Sequence, residues 1–348
     1  MSKSIAPDGL DRFVRNTLQA VGVPADDAAI VADCLVYANL SGVDSHGVVR
    51  LAHYCRRLTN GTIKTHPEVR FERPRPAMMR VDGGDGLGHV VTARAIERGI
   101  DACREIGTVT IAIGNSSHFG MAGYYLRDVT RAGLVGMITT NTDARIVPPG
   151  ARAAFVGTNP VAYGFPTNGE PLVLDFATTL VSFGKIALAR AENRSIPADW
   201  GLDTDGEPTT DPHKLFGMHP IAGYKGAGLA MIVDLFCSMF TGMPFGPHIN
   251  QMYEQIDEPR KLGHFVTLWD IGAFVPVDDV RGRIDQFIDE LHALPKQTPE
   301  TQLLYPGEPE ATRREERRRS GIPVEPGLLR ELLELGERLD VDTSELET

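Results

Sequence analysis

The stretch that most constrains this chain is Leu229 to Phe240, LAMIVDLFCSMF, with Asp234 as its one charge. It reads as a helix that is apolar nearly all round. Such a helix must be buried, because no face of it can be left to water without cost. The segment before it, Gly223-Tyr-Lys225-Gly-Ala-Gly228, sets a lysine between glycines at the helix start. There Lys225 either meets an anion or a ribose, or simply snorkels to solvent.

Other segments supply strands around it. Thr108-Val-Thr-Ile-Ala-Ile113 is a short β-branched run of the buried type. It leads into Gly114-Asn-Ser-Ser-His118-Phe-Gly120-Met-Ala-Gly123, and then into a helix from Tyr124 to Ala132. Strand, polar glycine-containing loop and helix in that order mark the place where α/β folds put ligands. His118 is either a ligand-facing imidazole there or a loop residue bonded to backbone. Further strands read over 133–139, 161–165, 171–175 and 264–270. Asp175 either caps a helix beginning near Val181 or faces a ribose hydroxyl.

Ser41 to Tyr54, SGVDSHGVVRLAHY, reads as part of a helix running to about Leu58. His46 and Arg50, four residues apart, would then share one face. An imidazole that takes a proton and a guanidinium that grips a carboxylate suit a small acid with a reactive carbon beside its carboxylate. The plainer reading is a helix with an ordinary His and a solvated Arg.

Several functions are disfavoured. A net charge of −11 lacks the basic face that nucleic acid requires. No apolar run approaches a membrane span of about 20 residues, and MSKSIAPDGLDRFV lacks the features of a secretory leader. The four scattered cysteines, Cys34, Cys55, Cys103 and Cys237, fit reduced structural thiols in a cytoplasmic protein. Asp82-Gly-Gly-Asp-Gly-Leu-Gly88 opens a helix but is not G-x-G-x-x-G, since position 89 is His. Asp203-Thr-Asp205-Gly206 resembles the start of a calcium loop without its closing Glu, so it reads as a turn. No clustered ligand spacing supports a metal-dependent hydrolase built on His46, His118 and Asp175, and no metal site is expected.

In sequence order, SHGVVR (45–50), SSHFGMAGYY (116–125), GTNPVAYGFP (157–166), LDFATT (174–179), GYKGAGLAMIVD (223–234) and PGE (306–308) resemble the malate/L-lactate dehydrogenase family that lacks a Rossmann fold. The resemblance covers nearly the whole chain. It implies an α/β fold with three layers and a mixed sheet, of the L-sulfolactate dehydrogenase-like type, with a helical lobe from both termini. The implied division is residues 1–75 packing with 277–348, around a cofactor-binding core at 76–276. It implies a homodimer, with NAD as cofactor and NADP as the alternative, acting on a small 2-hydroxy or 2-oxo acid. By similarity His118 is the acid/base, with His46 beside it. Ser45, Arg50 and Tyr54 are substrate-side residues. Thr142, Asp175, Phe176, Ala177, Lys225, Pro306, Gly307 and Glu308 fall on cofactor-contacting positions. Arg313, Arg314 and Arg317–Arg319 either meet a 2′-phosphate or face solvent. The middle region, with Trp200, Pro208–Pro212, Gly242–Gly246 and Met252-Tyr253, is most similar to the branch acting on ureidoglycolate. Malate, lactate, sulfolactate, sugar-derived keto acids and cyclic imines stay open.

Overall fold

The β-branched and apolar runs form the strands of one mixed sheet. The computed structural model describes residues 2–347. In chain order the strands are β1 (Lys3–Ile5), β2 (Arg70–Arg75), β3 (Met78–Asp82), β4 (Thr108–Ser116), β5 (Val135–Thr140), β6 (Val161–Phe165), β7 (Leu172–Phe176), β8 (Gly201–Leu202), β9 (Gly217–Met218), β10 (Leu262–Trp269) and β11 (Ile322–Val324). The helices are α1 (Pro7–Ala20), α2 (Ala25–Leu40), α3 (Leu51–Thr59), α4 (Gly88–Ile106), α5 (Ala122–Arg131), α6 (Phe183–Ala191), α7 (Tyr224–Met239), α8 (Val277–His292), α9 (Glu308–Ser320), α10 (Pro326–Leu339) and α11 (Ser344–Glu347).

The main sheet runs β2-β3-β4-β10-β5-β6-β7. Only β3 and β4 pair in parallel; the other neighbours are antiparallel. Residue alternation on β10 places its side chains in two layers. Val266 and Leu268 join Val91, Ala95, Leu126 and Val129 on the α4/α5 side. Phe265 packs with Val233 and Cys237 of α7 on the other. These are the three layers expected.

Chain ends meet in a separate helical lobe. β1 pairs with β11, aligning Ile5 with Ile322. Leu10, Phe13, Leu35 and Leu51 share a core with Leu332 and Leu335. Each such leucine, fully buried, contributes about 1.5–3 kcal/mol. The lobe therefore brings α9 and α10 against the N-terminal helices, which matters for the site below.

Two expectations need correction. From its sequence Met78-Met-Arg-Val81, just before the glycine turn, reads as a poor buried parallel strand, yet β3 is parallel to β4, with Met79 opposite Ile111. It tolerates exposed Met78 because the layer covers only one face there. The apolar helix is also not buried all round. Ala230, Val233 and Cys237 of α7 are buried, but Ile232 is 51% and Met239 57% exposed, as is Phe240 just beyond at 60%. Within one chain a single sheet face is available to this helix, so its outer side has no cover.

Candidate active site

The segment bearing His46 and Arg50 is not one helix, which corrects the shared-face reading. Asp44–His46 and Val48–Arg50 form two 3-10 turns, broken at Gly47, and α3 begins only at Leu51. The cause is a long-range contact. Asn39 near the end of α2 lies flush on Gly47, where a Cβ would fall 2.1 Å from its Oδ1. That oxygen accepts from the Val48 amide at 2.8 Å, while Asn39 Nδ2 donates to Asp44 Oδ1 at 2.6 Å. From the C-terminal side, Arg317 of α9 donates to both Asp44 oxygens at 2.7 and 3.0 Å and to the Asn39 carbonyl. Both chain termini thus hold the turn that carries the first histidine.

Within this turn Ser45 Oγ lies 2.9 Å from His46 Nδ1, which orients the ring. Arg50 Nε donates to the Ser45 carbonyl at 2.6 Å, and its Nη1 donates to the Tyr253 hydroxyl. The Nε edge of the guanidinium is therefore occupied, and an acid must be met end-on by the two terminal nitrogens. Among the described residues no carboxylate pairs with Arg50.

His118 comes from the loop after β4. The loop is seated on the glycine turn 82–88: Ser117 Oγ accepts from the Gly88 amide at 2.9 Å and donates to the Gly86 carbonyl at 2.9 Å. A Cβ on Gly88 would fall 2.2 Å from the Ser117 carbonyl oxygen, so this position requires glycine. Tyr54 of α3 reaches His118 Nδ1 with its hydroxyl at 2.6 Å. The His46 and His118 rings stack with centroids 5.5 Å apart. His46, Arg50 and Tyr54, from one segment, are thus brought together with His118 from the loop after β4.

Burial sets the electrostatics. It pushes His46 down to about 3, with the Arg50 charge adding to the effect. It also holds His118 well below the ordinary 6.5, helped by His46 and Arg50. Tyr54 is raised above the ordinary phenol value, chiefly by burial, and stays protonated. The cluster offers two neutral imidazoles beside one unneutralised guanidinium, an arrangement suited to a small carboxylate.

Of the other expected residues, Thr142 follows β5 and Asp175 to Ala177 lie at the end of β7. Thr142 Oγ1 accepts from the Thr158 amide at 3.1 Å. Thr142 N–H donates to Asn159 Oδ1 at 3.1 Å. Asp175 does not cap the helix that follows it. Its Oδ2 accepts from the Gly123 amide at the start of α5, at 2.7 Å, and burial raises it to about 6. This bond ties the β7 end to the helix just after the His118 loop. Phe176 and Ala177 continue from there, half-buried. Pro306 and Gly307 lie on β7, where the Pro306 carbonyl accepts from the Val173 amide at 3.0 Å. Glu308 accepts from the Tyr305 amide at 3.1 Å. Lys225 is exposed, and no partner binds it among the described residues. A cleft of about 380 Å³ beside it is lined by Pro148, Pro149, Leu180, His219 and Gly223. Nearby Thr179 Oγ1 is buried with no protein partner. The free ammonium and the orphan hydroxyl fit the hydroxyls and phosphates of a nucleotide.

Sequence reasoning missed Asn39 and Asn159, and it considered Arg317 for a phosphate or for solvent but not for Asp44. Only Asn159 carried a local signal, the Asn-Pro pair; its backbone has φ of +33° and its side chain is fully buried. Arg314 and Arg317 are not free for a phosphate: Arg314 pairs with Glu170 at 2.5 Å, and Arg317 holds Asp44.

Comparison with known proteins identifies the family and the fold. The family model described as malate/L-lactate dehydrogenase matches residues 5–333. The malate dehydrogenase of Pyrococcus horikoshii is 32% identical, over 97% of this chain and 96% of that protein. The ureidoglycolate dehydrogenase (NAD(+)) of Escherichia coli O157:H7 is 32% identical over 92% of each. The solved sulfolactate dehydrogenase of Methanocaldococcus jannaschii superposes with a TM-score of 0.91 at 30% identity, over 99% of each chain. A match this long means that the chain belongs to the malate/L-lactate dehydrogenase family.

Proposed function

We propose that this protein is a nicotinamide-dependent oxidoreductase acting at C2 of a small 2-hydroxy or 2-oxo acid. The observation that carries the reading is the half-buried Arg50, without a carboxylate partner, beside the hydrogen-bonded Tyr54–His118 pair. Bound nicotinamide would supply the hydride acceptor or donor. Thr142, Asp175, Phe176, Ala177, Lys225 and the Pro306-Gly307-Glu308 turn would hold it. NAD is the cofactor taken here, after the relative named for NAD(+), with NADP as the alternative.

The substrate side follows from the residues. Arg50 anchors the carboxylate end-on. His118 takes the C2 hydroxyl proton on Nε2 in oxidation and returns it in reduction. Nδ1 is held on its other side by the Tyr54 hydroxyl at 2.6 Å and the Gly120 amide at 3.3 Å. His46, oriented by Ser45, contacts the C2 oxygen. Ureidoglycolate, oxidised to oxalurate, is the substrate favoured by the middle region of the sequence; malate, lactate and sulfolactate are its competitors. Arg50→Lys tests the anchor, because an ammonium cannot offer two parallel bonds. It should raise KM for the acid by about 30-fold or more, with KM for the cofactor nearly unchanged. An unchanged KM for the acid would remove Arg50 from substrate binding.

The same reading takes the protein as a cytoplasmic homodimer. The uncovered side of α7, with Leu229, Ile232, Leu235 and Met239, supports the second copy, since an apolar strip of this kind is costly in water. Light scattering on the purified protein should give twice the chain mass, and Ile232→Glu should give the monomer. A wild-type monomer at micromolar concentration would contradict the dimer. No described helix is long and apolar enough to cross a membrane.

A further inference from the structure

We propose that His264 is a positioning residue for the reaction, holding the acid/base loop and the cofactor loop at a fixed separation. The inference rests on the dehydrogenase reading above. His264 sits on β10, the strand between β4 and β5, opposite Ile113 on one side and Thr140 on the other. The pairing with β4 shifts register between Leu262 and His264, and this irregularity puts Ser116 opposite Leu262. The fully buried imidazole then bonds both strand ends. Its Nδ1 lies 2.7 Å from Thr140 Oγ1, and its Nε2 lies 2.8 Å from Ser116 Oγ.

Ser116 is two residues before His118, and Thr140 is two before Thr142. The ring face also stacks on Phe119, with centroids 4.7 Å apart and planes within 10°. One imidazole therefore touches the residue after His118, the strand end before it and the strand end before Thr142.

The protons can be placed. Thr140 Oγ1 donates to the Gly263 or Asn141 carbonyl, each at 3.2 Å, so it accepts from His264 Nδ1–H. Nε2 then accepts the Ser116 hydroxyl proton. Burial pushes the ring down to about 3, so it stays neutral and keeps this tautomer across the working pH range. An aliphatic side chain would continue the apolar alternation of β10 with Val266 and Leu268 but would make neither bond. The polar ring is thus spent on the geometry of the two loops.

Separate variants read the two ends. Ser116→Ala should lower kcat about ten-fold, with the dissociation constant of reduced nicotinamide cofactor within about two-fold of wild type. Thr140→Val should weaken that dissociation constant about ten-fold, with kcat within about three-fold. His264→Phe, which keeps a ring against Phe119, should lose both together, with kcat down about 30-fold or more. His264→Gln, able to donate and accept, should recover part of each. The double variant Ser116→Ala/His264→Phe should have the kcat of His264→Phe alone. If His264→Phe does not fold, judged by circular dichroism, the two single variants carry the test. A folded His264→Phe with both constants unchanged, or Ser116→Ala and Thr140→Val each without its stated effect, would overturn the proposal. His118→Gln serves as the control. Wild-type protein without turnover on any 2-hydroxy or 2-oxo acid would overturn the dehydrogenase reading itself, and retained turnover in His118→Gln would overturn its acid/base role; an inactive His118→Gln beside unaffected His264, Ser116 and Thr140 variants would overturn only the positioning role.

Discussion

Replacing His118 with glutamine is expected to lower kcat by about three orders of magnitude while leaving cofactor affinity within about two-fold of wild type. The amide can still hydrogen-bond Tyr54 and fill the pocket, but it cannot exchange a proton with the C2 oxygen. No direct contact links His118 to the Thr142, Asp175 or Lys225 side chains, so cofactor binding should survive. The pH dependence of the wild type follows from the same ring. Burial, His46 and Arg50 hold His118 well below 6.5. In oxidation the neutral ring is the base, so kcat/KM should stay on its plateau as pH falls through 6.5 and decline only at lower pH. In reduction the protonated ring is the acid, so the rate should rise toward acid pH. A kcat of His118→Gln near wild type, or an oxidation limb centred at or above 6.5, would contradict this assignment.

The second large effect is on stability. His89, next to Gly88, is fully buried, and neither ring nitrogen has a partner among the described residues. It packs edge-on to Tyr54 at 5.1 Å and against Gly120. Burial pushes it down to about 3. In the unfolded chain an imidazole takes up its proton near 6.5. As pH falls below that value, the unfolded state binds a proton that the folded state refuses, and stability is lost. For this one group the loss between pH 7.5 and pH 5 is about 2 kcal/mol. His89→Leu removes the titration, so its stability should fall less steeply by that amount over the same interval. Urea midpoints for both proteins, taken at several pH values, measure the difference directly. Parallel pH curves would mean that His89 is protonated or solvated in the folded protein. A constant offset from repacking would shift the variant's curve without changing its slope.

Much of this was legible locally. Thr108–Ile113 is a strand wherever it is placed, because β-branched apolar residues without a helical period pack best on a pleated surface. The polar loop after it was legible as a candidate ligand site, because α/β folds put ligands at strand-to-helix turns. The turn at 44–50 was not, because its geometry is imposed by Asn39 and by Arg317, a residue far along the chain in α9. Without those contacts SHGVVRLAHY follows its helical spacing. Asp175 likewise looked like a cap for its own following helix, and only the sheet brings it to Gly123. The apolar helix was read as buried nearly all round, but one chain supplies cover for one side only. His264 lay in plain view as a strand residue. Its two bonds depend on strand order, which places β10 between β4 and β5 and is invisible to periodicity.

The central claim is hydride exchange between nicotinamide and C2 of a small acid. The most direct measurement is absorbance at the reduced-nicotinamide band, using purified protein, NAD or NADP, and ureidoglycolate, malate, lactate and sulfolactate in turn. The band is expected to grow with at least one of these acids, and not to grow in His118→Gln. No growth with any acid, and no consumption of reduced cofactor with the matching 2-oxo acids, in protein that still binds the cofactor by fluorescence, would contradict it.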